Sequence, residues 1–128
     1  MNPEFYFPEP LRVEALPYAN GSRWWKLIHY YRYVSSLGTI TVPTGTKTDL
    51  ASIPQAFRNI FDQAGPWMGP AIIHDYLYSK ASDIHFKATR AQSDAVFREA
   101  MFNIGIGWQR NVIWAAVRLG GWASWKKR

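Results

Sequence analysis

The sequence predicts an α+β fold in a single domain, 1-128: a small N-terminal antiparallel sheet followed by a bundle of three to four helices. Three observations carry this expectation. In the first third, apolar and aromatic residues alternate with polar ones in short runs bounded by Gly, Asn and Pro, the period of strands. After Pro54 the period changes to that of helices. The 128 residues, 48% hydrophobic and 19% charged, can bury one core and show no internal repeat or linker.

The elements follow in order. Residues 11–16 alternate and read as a strand. Asn20-Gly21 is a turn signal ahead of the β-prone aromatic run 24–34. Gly38 leads into a strand over 39–42, ended by Pro43. Residues 46–54 read as a stiff loop in which Asp49 or Ser52 caps a short helix over 56–61, broken by Gly65-Pro66. Pro70 suits the first turn of a helix reaching about residue 79. A polar, irregular connection spans 80–88. Thr89 is the expected N-cap of a helix over 90–104 that Gly105 and Gly107 close. A last helix is expected over 108–125, bent at Gly120-Gly121.

Composition narrows the function classes. Without cysteine the chain has neither a disulfide framework nor a thiolate metal site. Met1-Asn2-Pro3-Glu4-Phe5 lacks the features of a signal peptide, and no apolar run reaches the ~18 residues of a spanning helix, so neither is expected. The net charge of +6 includes Lys126-Lys127-Arg128 but accompanies no nucleic-acid recognition motif, so no specific nucleic-acid recognition is expected. Trp, Tyr and Phe number seven each, which suits a core or an interface. Trp108, Trp114, Trp122 and Trp125 interleave with Arg110 and Arg118, beside a smoother face of Ile113, Ala116, Val117 and Gly120. Core or subunit packing is the favoured reading of that helix, and an interfacial helix on anionic lipid is the alternative.

The run His74-Asp75-Tyr76-Leu77-Tyr78 carries the most chemistry. Positions three and four apart share a helix face, so His74 and Tyr78 point together while Asp75 turns aside. On the following helix Asp94 lies one turn before Phe97, extending the apolar stripe of Phe97, Ala100, Met101 and Ile104. An acid on such a face needs a partner, because an isolated buried charge is very costly. His74 is the natural one: a carboxylate on one imidazole nitrogen fixes the tautomer and leaves the other nitrogen free to take a proton. The competing reading is a structural His–Asp lock between two helices. Asp49 and Ser52 are expected beside His74. A Ser52–His74–Asp94 triad ranks lower, because Ser52 lacks the glycines of a nucleophile elbow and no oxyanion hole can be named. His29 and His85 read as a strand residue and a loop residue.

Two resemblances arise at these residues. Val42-Pro43, Thr48-Asp49-Leu50-Ala51-Ser52-Ile53-Pro54, His74-Asp75-Tyr76-Leu77-Tyr78, Asp94 with Phe97 and Met101, and Ala116-Val117-Arg118 resemble a small uncharacterised family common in bacteriophages and prophages. More locally, His74-Asp75-x-x-Tyr78 followed by Ser93-Asp94-x-x-Phe97 is similar to the paired-helix site of phospholipases of the A-two class, especially the cysteine-free version in parvovirus capsids. That resemblance implies His74 as the base that activates water, Asp94 orienting it with support from Tyr78, and Asp75 binding calcium. The Gly-x-Gly calcium loop of those enzymes is missing here, and Asp49 is the expected substitute ligand. The implied function is a phage hydrolase of lipid or another envelope ester, in the virion or the infected bacterial cell, with phage structural proteins or host envelope lipid as partners. The alternative is a non-enzymatic tail or baseplate component.

Overall fold

The computed structural model describes residues 3–61 and 66–127, and the side chains of all of these except 59–61. Five strands come first: β1 Val13–Ala15, β2 Trp25–Leu27, β3 Tyr31–Ser35, β4 Gly38–Val42 and β5 Lys47–Thr48. Four helices follow: α1 Gln55–Phe61, α2 Met68–Tyr78, α3 Arg90–Asn103 and α4 Gln109–Gly120. The α+β class and the order of sheet before helices match the sequence expectation. The Gly65 half of the expected break after α1 lies outside the described residues, as does Arg128.

The strands form two sheets rather than one. β2 pairs antiparallel with both β1 and β5, and β3 pairs with β4 as a separate hairpin in the register Tyr31↔Val42 to Ser35↔Gly38. The expected single run over 24–34 therefore divides. Alternation continues across it, with Trp25, Leu27, Tyr31, Tyr33 and Ser35 all buried, but the hydrogen-bond partners change at the bend of 28–30. His29 lies in that bend, half-buried, and not in a strand. Asn20 and Gly21 both take positive φ, and the bridge between Ala19 and Ser22 closes the turn they make.

α2 is the central element. Ten of its eleven residues are buried, the exception being Asp75, and α2 packs against α3, β4 and β5. A helix that is apolar all round has to be wrapped in this way. α3 begins as the sequence predicts, with a reciprocal capping box between Thr89 and Gln92, and Gly105 at φ +91 follows its end. α4 ends sooner than expected. It stops at Gly120, and Gly121–Ala123 form a 3-10 turn. Gly121 packs directly on the Tyr78 hydroxyl, where any Cβ would collide. The connection after α2 is also more regular than expected, with a 3-10 helix over Lys80–Ile84.

Candidate functional site

A carboxylate first fixes the loop that precedes α1. Asp75, the one residue of α2 that is not buried, accepts from the Ser52 backbone N–H at 3.1 Å through Oδ1 and from the Thr48 hydroxyl through Oδ2. Thr48 Oγ1 in turn accepts from Leu50 N at 2.9 Å. Between them Leu50, fully buried, is held at φ +60, a conformation rare for a bulky residue. Such strain persists only where the surroundings over-determine it. Its effect is to turn Ser52 inward towards α2.

There Ser52 Oγ meets His74 Nδ1 at 3.0 Å, and His74 Nε2 meets Asp94 Oδ1 at 2.7 Å. Tyr78 donates its hydroxyl to the same Oδ1 at 2.7 Å, while Arg118 donates to Oδ2 at 2.7 Å with Arg90 3.6 Å away. His74 and Asp94 have no exposed surface, and Ser52 retains 3%. An ionised carboxylate can only accept, so Nε2 carries a proton towards Asp94 and Nδ1 faces the Ser52 hydroxyl. The imidazole stacks between Tyr78 and Phe97, with ring centres 4.3 and 4.5 Å away.

The electrostatics follow from this packing. Burial pushes the Asp94 carboxyl up, but the hydrogen bond and charge of His74, with the Tyr78 and Arg118 hydrogen bonds, more than offset it, and the net shift is downward. Burial and the adjacent Asp94 carboxylate raise Tyr78, so it stays a neutral donor. Asp94 is therefore an anion, and its bond to Nε2 sets the ring so that Nδ1 faces Ser52.

The relay reaches a cleft of about 270 Å³ through Ser52 and Tyr78, which line it together with Lys47, Asp75, Ser79, Ser124 and Lys127. The C-terminal segment forms its far wall. Ser124 donates to Ala51 O at 3.0 Å, and Lys126 donates to the carbonyls of Leu77 and Ser79 and pairs with Asp83 at 2.9 Å. Lys47 and Lys127 are exposed at the rim.

His74, Asp94, Tyr78 and Ser52 thus converge as the sequence predicts, and the Ser52–His74–Asp94 connection, ranked low on sequence, is the one the geometry makes. Asp49 lies elsewhere: its Oδ1 accepts from Ala51 N at 3.1 Å, and it lines a second cleft with Arg23, Gln55 and Arg58. Trp125 sits edge-on to Tyr78 at 5.0 Å, Trp114 is half-buried beneath Arg98, and Trp108 and Trp122 are exposed. Sequence reasoning missed Thr48, Arg118 and the rim lysines as members of the site. Arg118 left one signal: it follows Val117, on the buried side of α4.

Among the described residues no three acidic or histidine side chains cluster closely enough to hold a metal ion. Both Asp75 oxygens are engaged by Thr48 and Ser52, and the cleft rim carries two lysines. Calcium takes six to eight oxygens, several of them anionic, and this donor set does not fit it.

The fold and the relay define an α+β domain in which a buried Ser–His–Asp chain reaches a basic cleft. The chain belongs to the DUF1353 family, described as proteins of unknown function, whose model matches residues 25–117. The match runs from β2 to α4 and includes Thr48, Ser52, His74, Asp75, Tyr78 and Asp94, while Arg118 and the rim residue Lys127 follow it. No curated protein and no solved structure matches the chain.

Proposed function

We propose that this protein is a bacteriophage or prophage hydrolase of lipid or another ester of the host envelope, associated with the virion or the envelope, with Ser52 as its nucleophile. The observation that carries this reading is the hydrogen bond from Ser52 Oγ to the His74 nitrogen that faces away from Asp94, made where Ser52 lines an open cleft. The phage setting rests on the resemblance of the Thr48–Pro54 and His74–Tyr78 motifs.

In this reading Ser52 Oγ attacks the ester carbonyl and its proton passes to His74 Nδ1. The resulting imidazolium is stabilised by Asp94, itself held by Tyr78 and Arg118. His74 then gives the proton to the departing alcohol, and water, deprotonated by His74, releases the acid from Ser52. The Ser52 backbone N–H is engaged by Asp75, so the charge developing on the carbonyl oxygen falls to the Lys47 and Lys127 ammonium groups that line the cleft.

A second reading is favoured by a different observation. Asp94 ties α2, α3 and α4 together through His74, Tyr78, Arg90 and Arg118, with no exposed surface of its own, which is what a purely structural lock in a tail or baseplate protein needs. A serine-reactive fluorophosphonate separates the two. Mass spectrometry should find it on Ser52, and turnover of p-nitrophenyl esters or phosphatidylglycerol vesicles should be equal with calcium and with chelator. Absence of both labelling and turnover assigns the relay to the scaffold.

A further inference from the structure

α4 has two unlike faces. Ile113 and Val117 enter the core, at 2% and 0% exposure. On the opposite side Trp108, Val112, Leu119 and Trp122 stand 70%, 47%, 81% and 68% exposed. Their spacing keeps all four along one stripe that runs from the start of α4 into the 3-10 turn after it. Surface Leu and Trp scattered singly need no explanation, but four aligned apolar side chains on one element form a contact face.

Charge says what the face contacts. Glu99 is the last acid in the sequence, and of the cations that follow it Arg118 and Lys126 are engaged by Asp94 and Asp83, while Arg110, Lys127 and Arg128 have no Asp or Glu between them. Lys127 is exposed, and Trp122 directly precedes Ala123 and Ser124, which line the cleft. A second copy of this chain would set one basic segment against another, which like-charge repulsion opposes. An anionic lipid surface offers both requirements, an apolar interior for the stripe and negative headgroups for the cations, and tryptophan favours that boundary. We infer that the Trp108–Val112–Leu119–Trp122 face of α4 docks on an anionic lipid surface and brings the cleft mouth to it. This inference is independent of what the relay does, because it rests on the outer face of α4 and not on Ser52, His74 or Asp94.

Co-sedimentation of the full chain with vesicles tests it, using phosphatidylglycerol mixed with phosphatidylethanolamine and, separately, phosphatidylcholine alone. The parent protein and Ser52→Ala should bind the anionic vesicles alike, more weakly at high salt, and leave phosphatidylcholine largely unbound. The double variant Leu119→Ser/Trp122→Ser should keep the parent melting temperature, since both side chains are exposed, and lose roughly tenfold or more in vesicle affinity. Leu37→Ser, an exposed apolar residue in the β3–β4 turn, should bind like the parent. Equal binding by the double variant and the parent overturns the inference. So does absence of binding to anionic vesicles, or a dimer in lipid-free solution that the double variant abolishes. Vesicle binding without hydrolysis would leave the docking face standing and remove only the enzymatic reading.

Discussion

Asp94 accepts from His74, Tyr78 and Arg118 at 2.7 Å each, and this saturation is why the two halves of the relay respond differently to substitution. Replacing Asp94 by Asn leaves the Arg118 guanidinium without its anion inside the structure. Breaking a buried pair in this way costs on the order of 3 kcal/mol. In a domain this size that is several degrees of melting temperature. Ser52→Ala removes one hydroxyl and leaves His74 Nδ1 unpaired, a loss of about 1 kcal/mol. Calorimetry should therefore show a large shift for Asp94→Asn and a small one for Ser52→Ala, while fluorophosphonate labelling disappears with Ser52→Ala. Labelling that survives Ser52→Ala would assign the reactive group to another serine. Much of this residue-scale chemistry was legible, because helical spacing aligns His74 with Tyr78 and the apolar stripe turns Asp94 inward. Spacing does not identify partners across the fold. The phospholipase resemblance implied Asp75 as a calcium ligand; in the fold its two oxygens hold the loop through Ser52 N and Thr48. Asp49 was expected beside His74, and a short-range bond to Ala51 N holds it in its own turn instead.

At the scale of elements, the start of α3 was the most legible feature, since a cap is a local chemical requirement; α2 and α4 start without a side-chain cap. Thr89 and Gln92 satisfy each other's backbone N–H groups at the start of α3, as the Thr89 signal suggested. Thr89→Ala should cost about 1 kcal/mol, read as a shift in denaturant midpoint with unchanged slope. Sheet partition was not legible. The 24–34 run is β-prone throughout, and only the change of hydrogen-bond partner at 28–30 divides it. The end of α4 was hidden for a related reason: Gly120-Gly121 signals a bend, but not that Gly121 clears space for the Tyr78 hydroxyl. Gly121→Ala should push Tyr78 away from Asp94 and cost about 1–3 kcal/mol, the usual range for overpacking. Gly120→Ala, where an added Cβ would meet only open space, is the matched control and should cost little. Equal melting temperatures for the two variants would show that the Gly121 contact is dispensable.

For the whole molecule, one buried anion joins three helices: His74 and Tyr78 from α2, Arg90 and Asp94 from α3, and Arg118 from α4. None of the described helices is long and apolar enough to cross a membrane, and the apolar α2 is buried at the centre of the fold. The sequence showed an apolar α2 and an acid on α3, but the closure by α4 depends on a contact 24 residues away in the chain, which no local period encodes. That closure gives the domain a defined response to acid. In the native state the Asp94 carboxyl lies below its ordinary value, so between the two values the unfolded chain binds a proton that the native chain does not. The stabilisation from Asp94 is therefore fully present above the ordinary carboxylate range, about pH 4, and is lost as the pH falls through the lowered native value. Melting temperatures of the parent and Asp94→Asn should differ by a constant amount from pH 7 down to about 5 and converge below about 4. An Asn cannot titrate, so the convergence isolates Asp94 from the other carboxylates, which both proteins share. A gap that stays constant to about pH 3 would mean that the native carboxyl is not the anion joining the three helices.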